Sequence, residues 1–212
     1  MKKIFFIAAV ITALIVFNFL QERSTDFLAR GTAKHTQGDY QGAVTDFTKA
    51  IELAHDSPEA YAGRARSKSS LGDAAGAIAD YGRAIAGFAD FRMAHNNPAY
   101  AEAYNSRGAL KSMQKDDAAA VEDFTAALEI NPAHVQAYAN RAFAHTRLRN
   151  YAAAYEDYCA AIERSPDSAL LYYNRGAVRV WLGDTDAACS DWERAVELGS
   201  VSARDARSRH CE

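Results

Sequence analysis

Hydrophobic and polar positions along this chain return as a block rather than at random. Arg30, Arg64, Arg107, Arg141 and Arg175 are separated by 34, 43, 34 and 34 residues, and each stands at the same place in a shared pattern. Three residues earlier is an aromatic (Phe27, Tyr61, Tyr104, Tyr138, Tyr172), and the next residue is small (Gly31, Ala65, Gly108, Ala142, Gly176). Thirteen residues after each arginine stands an alanine (Ala43, Ala77, Ala120, Ala154, Ala188), and seven further on a second one (Ala50, Ala84, Ala127, Ala161, Ala195). Between the two alanines lies another aromatic: Phe47, Tyr81, Phe124, Tyr158 or Trp192. This pattern predicts pairs of antiparallel helices, because small residues at matched heights let two helix axes approach while aromatics three or four positions away fill the space where the axes diverge.

The punctuation agrees with helical hairpins. Gly38-Asp39, Gly72-Asp73, Lys115-Asp116, Arg149-Asn150 and Gly183-Asp184 fall between the two helices of each block, where such residues end one helix and cap the next. Pro58, Pro98, Pro132 and Pro166 mark the junctions between hairpins, where a missing N–H does least harm. A self-similar period of this length is the signature of stacked repeats.

Three stretches depart from the block. Lys2 and Lys3 precede an uncharged, mostly apolar run from Ile4 to Leu20, which as a helix spans roughly 25 Å at about 1.5 Å per residue. That is a membrane-targeting pattern, read as an uncleaved anchor over residues 1–23 because no A-x-A spacing closes the run; a cleaved signal peptide is the alternative. The two lysines place the remainder on the exported, periplasmic side of an inner membrane, or in the periplasm after cleavage. The second departure is an insertion of nine extra residues within the segment 87–100, where Phe88 and Phe91 extend a helix that Asn96-Asn97-Pro98 stops. The third is the tail 203–212, expected to form a short capping helix over the last hairpin with Ala206 and Cys211 turned inward.

These residues resemble the tetratricopeptide repeat family, whose unit is helix, turn and helix. The resemblance covers roughly residues 24–202, in units 24–57, 58–100, 101–134, 135–168 and 169–202. Phe or Tyr replaces the family's tryptophan, and arginine the leucine that follows it. An all-α, right-handed superhelix is implied, with first helices lining a concave groove that binds peptides or helices of partners. In that family the groove positions lie one before, two after and six after each arginine. Here they bring Asn140, Phe143 and Arg147 together with Asn174 and Trp181, with Asn105, Gln136 and Tyr173 alongside. Side-chain amides suit an extended peptide backbone, and the aromatics suit apolar anchorage; packing of those aromatics on the next helix is the competing reading. No Lys or Arg directly precedes a repeat arginine, so the family's basic clamp for a C-terminal carboxylate is absent.

An aspartate follows each arginine by sixteen residues, which predicts structural ion pairs Arg30–Asp46, Arg64–Asp80, Arg107–Asp123, Arg141–Asp157 and Arg175–Asp191 across each hairpin. Cys159, Cys189 and Cys211 lack zinc spacing. An exported chain favours a disulfide between Cys189 and Cys211, since a capping helix would cross the helix carrying Cys189.

Composition sharpens this picture at two points. A net charge of −3 offers no basic stripe for nucleic acid. No phosphate loop, nucleophile elbow, paired carboxylates or paired histidines stand out, so neither a catalytic site nor a cofactor or metal is expected. The leading expectation is a protein-interaction scaffold at the cell envelope. The alternative is a spacer subunit of a membrane-associated enzyme complex that touches partners by its convex face or inserted helix, and a hydrolase assembled in the groove ranks third.

Overall fold

The computed structural model describes residues 2–54, 57–90 and 97–211; side chains are described at Thr12 and from Phe19 onward, Asp90 excepted. Eleven helices and no strand occur among the described residues. They are α1 (Lys2–Thr36), α2 (Tyr40–Ala54), α3 (Pro58–Ser70), α4 (Ala74–Asp90), α5 (Pro98–Met113), α6 (Asp117–Ile130), α7 (Val135–Arg147), α8 (Tyr151–Arg164), α9 (Ala169–Trp181), α10 (Thr185–Glu197) and α11 (Val201–His210). Helices from α1 to α10 pack as consecutive antiparallel hairpins, and α11 lies on α10.

The small-and-aromatic pattern is the packing mechanism. Both alanines of every block are fully buried, and Phe47, Phe124 and Tyr158 are 1% exposed. Phe47 of α2 is held between two glycines. A methyl group on Gly31 of α1 would meet its ring at 2.9 Å, and one on Gly63 of α3 at 2.5 Å. Gly108 and Gly176 make the same close approach to Phe124 and Trp192.

The turns follow their chemistry. Gly38, Gly72 and Gly183 end first helices with φ of 84°, the left-handed region that glycine enters without steric cost. Lys115 and Arg149 occupy the same turn position with φ of 67° and 60°, where a side chain costs roughly 1 kcal/mol. Asp39, Asp73, Asp116 and Asp184 then each accept a backbone N–H three residues on. Ser57 and Asn97 cap α3 and α5, whose first residues are Pro58 and Pro98.

The chain divides at the insertion into two compact units, Met1–Ala94 with two hairpins and His95–Glu212 with three hairpins and α11. Phe88, 2% exposed, lies in the core of the first unit as α4 runs on to Asp90, while Phe91 and the rest of the expected overhang up to residue 96 lie outside the described residues. The expected anchor at 1–23 has no helical break behind it: α1 continues from Lys2 through the first repeat, and the docked part begins at buried Ser24, whose hydroxyl donates to the Ala50 carbonyl at 3.0 Å. Most side chains of the apolar run lie outside the described residues. Among the described residues no helix is long and apolar enough to cross a membrane.

Candidate functional site

Five arginine–aspartate pairs form the polar spine of the hairpins. Each aspartate is nearly buried, and Arg64, Arg107, Arg141 and Arg175 grip theirs with two parallel N–H···O contacts of 2.6–3.0 Å. Arg30, more exposed, reaches Asp46 with one at 3.0 Å. Hydrogen bonding to the partner carboxylate holds the guanidinium pKa of Arg64, Arg107 and Arg141 above its usual value. Burial alone would raise the Asp80 carboxyl, but bonds from Arg64 and Lys68 outweigh it and hold it below the usual range.

A second cation one helical turn later escaped the sequence reading. Lys34, Lys68, Lys111 and Arg179 contact Asp46, Asp80, Asp123 and Asp191 at 2.8–2.9 Å. The signal was legible, since they keep the arginines' own spacing. In the fourth hairpin this position is His145, whose Nδ1 is buried with no hydrogen-bond partner and whose pKa is lowered chiefly by burial. The arginines also stitch hairpins together: Arg64 reaches Thr48, Arg141 reaches Thr125, and Arg175 reaches the Cys159 sulfur at 3.4 Å.

Within the second unit, the first helices α5, α7 and α9 carry a common stripe. It runs through Glu102, Ser106, Ala109 and Met113, then Gln136, Asn140, Phe143 and Arg147, then Leu170, Asn174, Ala177 and Trp181, and none of these is buried. Met113, Phe143, Leu170 and Trp181, at different heights of the stripe, are 79, 51, 64 and 66% exposed, large apolar side chains left in water.

The expected groove residues divide into three groups. Phe143, Trp181 and Asn174 are accessible, and Asn174 has no hydrogen-bond partner among the described residues. Trp181 stacks on Tyr151 with ring centroids 5.5 Å apart and planes 4° from parallel. Gln136 and Asn140 are engaged with each other, Gln136 donating to Asn140 at 2.9 Å and Asn140 to Asn105 at 3.0 Å. Asn105 is buried, so it supports the surface instead of lining it. Arg147 is pinned between hairpins, with Nε 3.1 Å from Asp117 and Nη1 donating to the Ser112 carbonyl at 2.9 Å, and Ser112 in turn donating to Asp117. Tyr173 contributes its carbonyl to the Trp192 indole N–H at 3.1 Å. Leu170 and Tyr151 complete the surface and were not singled out from sequence; Leu170 stands where the other hairpins carry Glu102 and Gln136.

Within the stripe, Glu102 is held below the usual carboxylate range, because bonds from His134 and Ser106 outweigh the upward push of burial. No group of three or more His, Cys, Asp or Glu that could hold a metal occurs among the described residues. Cys189 and Cys211 are joined by a disulfide with Cα atoms 5.9 Å apart, leaving Cys159 free and partly buried.

The family model described as Tetratricopeptide repeat matches residues 27–56, 101–134 and 135–168. Three of the five hairpins thus match the tetratricopeptide repeat model. The other blocks keep the same arginine–aspartate register within the repeat frame. No curated protein matches the sequence. Among solved structures, that of MamA protein is 21% identical with a TM-score of 0.72, covering 86% of this chain and 95% of that one. YrrB, a TPR protein with an unusual peptide-binding site, is 16% identical with a TM-score of 0.71, over 86% and 90%. The first TPR of Spaghetti (RPAP3), bound to an HSP90 peptide, is 26% identical with a TM-score of 0.53, over 54% and 93%. At these identities MamA and YrrB establish a shared fold.

Proposed function

We propose that the second unit captures an extended segment of a partner protein along the stripe of α5, α7 and α9. The observation that carries this reading is the set Met113, Phe143, Leu170 and Trp181, exposed on the first helices α5, α7 and α9, with the amide of Asn174 accessible among them. Exposed aromatics supply anchoring area, and an amide presents both donor and acceptor to a peptide backbone. The peptide-bound and peptide-binding tetratricopeptide structures support the same use of the fold.

The test is selection of peptides from a random library on the full chain, followed by measurement of their affinity for variants. Phe143→Ala with Asn174→Ala is expected to weaken binding about tenfold or more. Binding kept by that variant but lost on deleting residues 91–96 supports the spacer reading instead.

The membrane placement rests on sequence and cysteine chemistry. Lys2, Lys3 and the run from Ile4 to Leu20 favour an N-terminal anchor with the repeats on the exported side, and a disulfide accords with an oxidising compartment. A reporter enzyme active only in the periplasm, fused after Glu212, is expected to be active; a well-expressed but inactive fusion refutes this placement.

A further inference from the structure

Trp181 ends the stripe and also borders a cleft of about 230 Å³ between α9, α10 and α11. Its walls include Tyr173, Trp181, Trp192 and Ala206, and its rim carries Arg209 and His210. The volume is below that of small-molecule pockets and suits one large side chain. Three aromatics make it an apolar socket, with the His210 ring 5.4 Å from Trp192.

Arg209 supplies the rim with a guanidinium. Arg207 pairs with Glu193 at 3.3 Å. Arg209 donates Nε to the Asp205 carbonyl, and no carboxylate pairs with it among the described residues. α11 holds Arg204, Arg207, Arg209 and His210 against Asp205 alone. The helix is fixed in place by the Ser200 cap, by buried Ala203 and Ala206, and by the Cys189–Cys211 disulfide, so the rim is presented in a set position.

We propose that this cleft anchors an acidic peptide segment, with an aromatic or large aliphatic side chain seated among Tyr173, Trp181 and Trp192 and an adjacent Asp or Glu carboxylate on Arg209. It rests on the stripe reading, because Trp181 belongs to both surfaces and the bound chain runs from one into the other. A guanidinium beside an apolar socket discriminates by charge as well as by size.

The only two tryptophans of the chain, Trp181 and Trp192, both line the cleft, so their indole N–H resonances report on it directly. The probes are N-acetyl-Phe-Glu-amide and N-acetyl-Phe-Lys-amide, titrated into the full chain. The glutamate probe is expected to shift both resonances saturably, with the lysine probe at least about fivefold weaker. Arg209→Glu, a surface change whose fold is checked by circular dichroism, is expected to invert that preference. No shift of Trp192, or equal response to both probes, overturns the proposal. Library-selected peptides that require Phe143 but ignore Arg209→Glu and leave Trp192 unmoved overturn the cleft and leave the stripe standing. Dipeptide binding with the expected charge preference, alongside selected peptides indifferent to Phe143, upholds the cleft and removes the stripe.

Discussion

At the residue scale the dominant device is a buried carboxylate gripped from two sides. Arg141 and Asp157 show its energetics most simply, because their hairpin has His145 where the others place a second cation. Arg141→Ala strands a buried carboxylate and is expected to cost about 3 to 5 kcal/mol, whereas adding Asp157→Ala costs less than the sum of the single changes. Chemical denaturation of the four proteins checks this. His145 makes a second prediction. Its pKa is depressed in the fold, so the unfolded chain takes up the proton first and stability falls as pH drops below about 6.5, the ordinary histidine value. His145→Lys places an ammonium near Asp157, as in the neighbouring hairpins. It is expected to add about 1 kcal/mol at neutral pH and to flatten this part of the pH dependence, read from urea midpoints between pH 5 and 7. Gly63→Ala is the steric counterpart. The added methyl would sit 2.5 Å from the Phe47 ring, which is itself fully enclosed, and a loss of about 1 to 3 kcal/mol is expected in a thermal melt.

At the element scale, hairpin turns and helix caps were legible because each depends on two or three adjacent residues. The exceptions are instructive. Lys115 and Arg149 hold the left-handed position that glycine holds in three other hairpins, and nothing in their side chains announces it. Lys115→Gly and Arg149→Gly are each expected to stabilise the chain by up to about 1 kcal/mol, measured as a raised unfolding midpoint. The groove was legible only in part. Its stripe follows from helical periodicity, so Phe143, Asn174 and Trp181 fall where the register places them. Side-chain partners one repeat away do not follow from that register. Asn105 is covered by its neighbours, Gln136 donates to Asn140 and Asn140 to Asn105, and Arg147 spans to Asp117, thirty residues before it. Periodicity fixes the face on which a residue lies, while long-range hydrogen bonds decide whether its polar atoms remain available.

At the scale of the whole molecule, the regular interval of 34 residues builds hairpins that bury one another's alanines and aromatics, and the single interval of 43 is where the chain divides into two compact units. The insertion was visible as a change in spacing. Its consequence was not, because compactness depends on contacts between hairpins rather than on any local pattern. The three-hairpin unit carries both the exposed apolar side chains and the α11 cap, and the proposed recognition surface lies there. The most direct test of that assignment is resonance mapping of the full chain with a library-selected peptide. Perturbations running contiguously through Met113, Asn140, Phe143, Asn174 and Trp181 are the predicted result. Perturbations confined to the outer faces of α6, α8 and α10, with the stripe unmoved, would contradict it.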